Sequence, residues 1–290
     1  MILVTGATGT IGSRLVPLLA DRGASVRAMT RDASRVPASP GVEVVQADFD
    51  DPPSLAPAVK GVDSVFLLTA PASPTPAHDR ALLDAARAAG VRRVVRLSAI
   101  GSGETTDDGS TLGAWHSEAE QLVRDSGLAW TLLRPTTFAS NMLWWAAAIR
   151  AGEPVRNMTG DGKQGIVDPR DVAAVAAEVL VATGHAHEGR TYTLTGPELL
   201  SVPDQAAVLA DVLGRPVAVV DHPPDDARRD LLAGGMDPAV VATVVTGSVW
   251  VRDGRNAIVT DDVARLLGRP PATYTEWARD HRSGFVENPT

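Results

Sequence analysis

The chain has 290 residues, a length for one large domain or for one domain with a smaller partner. Apolar residues make up 44% of it, enough for a sizeable core, which excludes an intrinsically disordered chain. A net charge of −8 argues against a broad nucleic-acid footprint, and the absence of cysteine excludes disulfides, thiolate nucleophiles and Cys-based metal sites.

Met1 runs straight into Ile2-Leu3-Val4, with no basic segment and no cleavage site, so no signal peptide is expected. No apolar run approaches the ~20 residues of a membrane span, which makes the cytoplasm the default location. Lysine occurs only at Lys60 and Lys163 while Arg, Ala, Gly and Pro abound, the mark of a GC-rich bacterial genome.

The first half alternates strand-like and helical stretches. Ile2–Thr5 is an apolar run, and Ile11, Leu15, Leu18 and Leu19 then repeat at helical spacing. Ser25–Thr30, Val42–Ala47, Ser64–Thr69 and Arg93–Ser98 read as strands, with a helix through Leu82, Leu83, Ala86 and Ala89 closed by Gly90. Trp115–Arg124 is helical, Leu128–Arg134 is a strand ended by Pro135, and Trp144-Trp145 lie in a short helical segment. Asp168-Pro169 caps and opens a helix whose stripe is Val172, Val175, Ala176, Val179 and Leu180. Thr191–Thr195 is a strand, and the tail from Ser201 is mostly helical with one strand at Val217–Val220. This order predicts an α/β fold: a Rossmann-type, doubly wound parallel sheet with a smaller, mostly helical C-terminal substrate domain. The boundaries expected are 1–150 with 168–197 for the first domain, and 198–290 with 151–167 for the second.

The segment Thr5-Gly6-Ala7-Thr8-Gly9-Thr10-Ile11-Gly12 spaces its glycines G-x-x-G-x-x-G between a strand and an amphipathic helix. Gly6 permits a sharp exit from the strand, Gly9 lets backbone approach a pyrophosphate, and Gly12 permits close helix packing. Unpaired N–H groups at the helix start then face the phosphates, so Gly6, Thr8, Gly9, Thr10, Ile11 and Gly12 are the expected cradle. An acid at the end of the second strand holds the ribose hydroxyls of NAD, whereas an arginine suits the 2′-phosphate of NADP. Arg31 stands there, nineteen residues after Gly12, and it points to NADPH; the alternative is a solvated loop charge, and Asp32 beside it is the competing ribose ligand. Asp48, at the end of the third strand, is either an adenine contact or a helix cap. Thr69, Ala70 and Pro135 end strands on the edge where such sheets bind cofactor.

These residues resemble the short-chain dehydrogenase/reductase superfamily, and specifically its atypical NmrA-like branch. The resemblance spans nearly the whole chain. It is carried by Val4–Gly9, Arg31, Leu97-Ser98-Ala99, Trp115-His116-Ser117-Glu118-Ala119-Glu120, Leu133-Arg134-Pro135, Asn141, Asp171-Val172-Ala173 and Tyr192–Pro197. That branch holds NAD(P)H-dependent quinone reductases, azoreductase-like proteins and NADP-sensing regulators. One departure matters: neither Tyr192 nor Tyr274 has a lysine four residues on, so the usual Tyr-x-x-x-Lys proton donor is absent. Where some relatives carry a lysine just before the histidine, this chain has Trp115.

Ser98 and His116 are the remaining catalytic candidates. Ser98 either makes a hydrogen bond to substrate or nicotinamide ribose, or is a strand-end cap. His116 and Glu120 share a helix face, where the carboxylate could raise the histidine pKa and make it an acid, or where the two form an exposed pair of little worth. Phe138, Asn141, Trp144 and Trp145, with Met142 among them, either wall a pocket for a flat acceptor or belong to the core. His185-Ala186-His187 and Asp221-His222 read as loops, and no metal is expected. The function expected is reduction of a small, conjugated, quinone-like acceptor by NADPH; the alternative is an NADP(H) sensor that signals to a regulatory protein partner. Neither needs nucleic acid or membrane.

Overall fold

The computed structural model describes residues 1–70, 74–107 and 109–286. In chain order its elements are β1 (Ile2–Val4), α1 (Gly12–Asp21), β2 (Val26–Thr30), β3 (Val42–Gln46), α2 (Leu55–Val59), β4 (Ser64–Leu67) and α3 (Ala77–Ala88). Then come β5 (Arg93–Leu97), α4 (Ala114–Asp125), β6 (Ala129–Pro135), α5 (Ala146–Ala151), β7 (Val155–Asn157), α6 (Pro169–Val181) and β8 (Arg190–Leu194). The rest is α7 (Val202–Leu213), β9 (Val219–Asp221), α8 (Pro224–Ala233), α9 (Pro238–Arg252), α10 (Asp262–Leu267), α11 (Tyr274–Asp280) and α12 (Ser283–Val286). Two compact units result.

The first unit comprises Met1–Gly103, Ala114–Pro135 and Arg170–Thr193. Among the described residues one seven-stranded sheet runs in the order β3-β2-β1-β4-β5-β6-β8. Neighbouring strands from β3 through β6 pair in parallel, with Ile2 opposite both Val26 and Ser64. The order reverses between β1 and β4, and a doubly wound sheet binds ligands at the carboxyl ends of its strands beside that point. β1 and β4, at the centre, are short and nearly all apolar because helices cover both faces of a parallel sheet. Leu3, Met29, Val65, Leu67, Val94 and Leu132 pack with Leu55 of α2, Leu82 and Leu83 of α3 and Val123 of α4. The predicted stripe of α6 is buried, and so are Ala173 and Ala177 beside it, so small residues let this helix sit enclosed nearly all round.

The second unit comprises Glu104–Gly113, Thr136–Pro169 and the chain from Leu194 on. Residues 136–150, which the sequence places with the first domain, cluster here. Met142, Ala146 and Ile149 join Val202, Leu209, Tyr274, Trp277 and Phe285 in one core. β7 and β9 form a two-stranded parallel sheet, Val155 opposite Val219. β7 carries no periodicity, since three residues are too few for alternation to show, and it went unpredicted; β9 lies one to two residues later than expected.

Candidate active site

The glycine turn has the geometry its spacing predicts. Gly6 has φ +60°, a left-handed value that a side chain resists, and a Cβ there would press Leu68 Cδ2 at 3.1 Å. Gly12 is required by close approach: a Cβ would lie 2.1 Å from Gly6 O and 2.7 Å from Ala7 Cα. So Gly12 lets the helix pack on its own entry turn. A Cβ on Gly9 would meet only Gly6 O, at 3.3 Å, and otherwise point into open space. Thr5 ties the turn to β4: its hydroxyl donates to Leu68 O at 2.9 Å and accepts from Leu68 N–H at 2.8 Å. Gly9 N–H bonds Gly6 O, whereas the N–H groups of Thr8, Thr10, Ile11 and Gly12 make no hydrogen bond to a described residue. Four such donors at a helix start are the donor set that a pyrophosphate requires.

At the end of β2, Arg31 is exposed and its guanidinium has no partner among the described residues. One oxygen of Asp32 serves its own loop. Oδ1 accepts from Ser34 N–H at 3.0 Å and from the Ser34 hydroxyl at 2.6 Å, capping the short 3₁₀ turn Ala33–Arg35. Those bonds hold the Asp32 carboxyl below its ordinary pKa. Asp48 Oδ1 accepts from Asp50 N–H at 3.1 Å, so part of its carboxylate serves its own turn. Ala70 is exposed beside that edge, and the buried Pro135 accepts from Ile100 N–H at 3.0 Å.

The carboxyl ends of β4, β5 and β6 carry a buried polar network that the sequence disclosed only in part. Thr69 donates its hydroxyl to Asp79 Oδ2 at 2.8 Å, and Arg96 Nε donates to Asp79 Oδ1 at 2.7 Å. Asp79 and Arg96 are essentially inaccessible, at 0% and 1% exposure. Arg96 also donates to Leu97 O and turns its far edge to His116 Nδ1, 3.4 Å from one terminal nitrogen and 3.5 Å from the other. Beside it, Glu120 accepts from Ser98 Oγ at 2.6 Å, from Arg134 at 2.7 and 2.5 Å, and from Arg124 at 2.9 Å. Burial pushes the Glu120 carboxyl up, but the bonds from Arg134 and Ser98 and the Arg134 charge outweigh it, so it stays below its ordinary value. Asp79, Arg96 and Arg134 were missed as site residues. Their one signal was a charge inside an otherwise apolar strand, at Arg96 and at Arg134.

Ser98 donates its proton to Glu120, so its oxygen is left as an acceptor. Two expectations are corrected here. Glu120 is fully buried, which rules out an exposed ion pair with His116. The His116 pKa is not raised: burial, then the Arg96 charge, push it down to about 3 against the weaker opposite pull of Glu120. Trp115 stacks on that imidazole with 3.7 Å between ring centroids.

In the second unit, Phe138 and Asn141 are half-buried and Asn141 N–H bonds Phe138 O. Met142 is core and Trp145 packs against it, but Trp144 is 81% exposed, so these side chains share no single wall. Neither tyrosine is a free acid: Tyr192 OH bonds His187 Nδ1 at 2.8 Å, and burial drives the Tyr274 pKa upward. His185 pairs with Glu188 at 2.7 Å, and among the described residues no three His, Asp or Glu converge as metal ligands.

The family model described as NAD(P)H-binding matches residues 6–183. The chain is 43% identical over 287 residues to the (4-alkanoyl-5-oxo-2,5-dihydrofuran-3-yl)methyl phosphate reductase of Streptomyces griseus, covering 99% of both chains. It is 36% identical to the NAD(P)H azoreductase of Xenophilus azovorans, over 98% of this chain and 99% of that one. The structure of NADPH-dependent quinone oxidoreductase from Escherichia coli, complexed with NADPH, superimposes with a TM-score of 0.85 at 28% identity, covering 97% of this chain and 99% of that one. With its cradle and sheet order, the chain belongs to the NAD(P)H-binding family and is an NAD(P)H-dependent oxidoreductase.

Proposed function

We propose that the protein is an NADPH-dependent reductase of small conjugated acceptors, quinones among them. The observation that carries the cofactor choice is the pair at the end of β2: Arg31 is free, and Asp32 is turned into its own loop. The residues present fit the dinucleotide, since four unpartnered N–H groups line a turn that a side chain on Gly9 would obstruct. Thr8, Gly9, Thr10, Ile11 and Gly12 would hold the pyrophosphate, Arg31 the 2′-phosphate, and Asp48, Thr69, Ala70 and Pro135 would line the strand edge beside them. Bound NADPH supplies a hydride.

The acceptor class follows from the proton donors. With Tyr192 bonded to His187 and Tyr274 buried, no side chain of the usual type offers a proton. A conjugated acceptor tolerates that: its hydride adduct is a delocalised anion that takes a proton from water. The relatives are named for such acceptors, an azo compound, a quinone and an acyl-substituted oxo-dihydrofuran. They are reductases matched over nearly their whole length, which favours turnover over the sensor alternative. A cytoplasmic setting goes with this reading; no helix among the described residues is long and apolar enough to cross a membrane. NADPH oxidation with a panel of quinones, azo dyes and enones tests it. Multiple turnovers are expected, faster with NADPH than with NADH, whereas tight NADPH binding without turnover on any acceptor would make the protein a sensor.

A further inference from the structure

His116 stands apart from the cofactor cradle, on the first turn of α4 above the carboxyl end of β5. We infer that it is locked as the Nε2–H tautomer by Arg96, and that this N–H is the donor to the acceptor oxygen on which charge builds during reduction. The inference rests on the reductase reading for the role, and on geometry alone for the tautomer.

Arg96 cannot move or change sides. Its Nε is bonded to Asp79, one terminal nitrogen donates to Leu97 O, and the whole side chain is buried. The edge that remains faces His116 Nδ1, at 3.4 and 3.5 Å. A guanidinium has only donors, so Nδ1 must be the acceptor and the imidazole proton must sit on Nε2. Trp115 covers one ring face, the residue is half-buried, and Nε2 has no hydrogen-bond partner among the described residues. The charged groups around the ring agree. Arg96 arrives from β5 with Asp79 of α3 already neutralising it from behind. Glu120 on the same helix is claimed by Arg134 of β6 and by Arg124. The pull of Glu120 on an imidazolium is outweighed, and burial with the Arg96 charge brings the His116 pKa to about 3.

The chemistry suits a neutral donor. When a hydride adds to the conjugated carbon, the π electrons move to the carbonyl oxygen, which becomes an enolate or phenolate oxygen. Nε2–H donates a hydrogen bond to that oxygen and keeps its proton, because neutral imidazole is far too weak an acid to surrender it. Water then protonates the product anion. A neutral imidazole used as an electrophile in this way is an established device in other enzymes. Asp79 and Arg96 are positioning residues, since they act only through the ring.

Two measurements on the full chain test this. In protein carrying ¹⁵N-histidine, the His116 signal, identified by its loss in His116→Gln, should show the Nε2–H tautomer and no titration between about pH 5 and 8. In NADPH oxidation with menadione, His116→Ala should lower kcat by ~10²-fold, the order lost with one oxyanion donor, with NADPH affinity unchanged. His116→Gln, whose amide N–H stands near the place of Nε2–H, should recover most of that rate, and the wild-type profile should be flat over the same pH range. A titrating or Nδ1-protonated His116 would overturn the tautomer. Wild-type rates in His116→Ala, or equal losses in His116→Ala and His116→Gln, would overturn the role. If the wild type turns over no acceptor, the reductase reading and the role fall together, while the spectrum still decides the tautomer.

Discussion

Arg31→Ala is the most direct test of cofactor choice. The side chain is exposed at the end of β2 and makes no bond within the described chain, so its removal costs the fold nothing. What it removes is a planar fork of donors that fits a phosphate and has no counterpart on the bare ribose of NADH. A hydrogen bond to a charged group is worth about 1.5–3 kcal/mol net, hence roughly a ten- to hundredfold loss of NADPH affinity. Solvent screening at an exposed site puts the expected loss near the low end at physiological salt, where charges more than about 8 Å apart are screened, and larger at low salt. NADH affinity should stay within about twofold, since 1.4 kcal/mol is a decade and none of this interaction is lost. Calorimetric titration of both cofactors at two ionic strengths, with Asp32→Ala as a control, measures all of this. Because Asp32 is tied to Ser34, its removal should leave the preference intact. Wild-type protein that binds NADH as tightly as NADPH, or an equal loss for both in Arg31→Ala, would refute the assignment.

The other substitutions separate cofactor binding, fold and proton supply. Gly9→Val should weaken NADPH binding by at least about tenfold at little cost in Tm, because its added methyls enter the phosphate space, whereas Gly12→Ala should lose about 1–3 kcal/mol of stability, since its Cβ meets Gly6 O at 2.1 Å. Glu120→Gln should destabilise the protein by about 3–5 kcal/mol in urea unfolding by leaving Arg134 and Arg124 uncompensated; a variant as stable as the wild type would contradict the buried network. The Glu120 pKa is depressed in the fold, so its contribution is complete above the unfolded value of about 4.3 and lost as pH falls through the folded one; the variant should therefore lose less stability than the wild type below about pH 4.3. Tyr274→Phe should leave the reduction rate unchanged and hold or raise stability by about 1 kcal/mol, because the hydroxyl is buried without a partner; a slowed reaction would restore the tyrosine as a proton donor.

The glycine turn was legible in the sequence because its information is local. Gly6 takes a left-handed φ and Gly12 lies against its own entry turn, and the strand before them and the helix after them both show in periodicity. The polar network was not legible for the opposite reason. Asp79 to Arg96 spans seventeen residues, Ser98 to Glu120 twenty-two, and Arg134 to Glu120 fourteen, across two strands and two helices. Glu120 and His116 did share a helix face as their spacing required, but spacing says nothing of the arginines that arrive from β5 and β6. The two tryptophans fared likewise: Trp144 and Trp145 are adjacent, yet one stands in solvent and the other packs into the second unit's core.

By itself, then, the sequence determined the strand–helix alternation, the glycine turn, the position of Arg31 and the absence of a tyrosine–lysine pair, all properties of residue type and short-range spacing. Tertiary structure decided which charges meet. Asp32 became the cap of its own 3₁₀ turn, Glu120 became the acceptor for two arginines, and Arg96 turned its last donors on His116. A charge in a folded interior is defined by its partners and its loss of water, and both are settled only when distant strands are brought side by side.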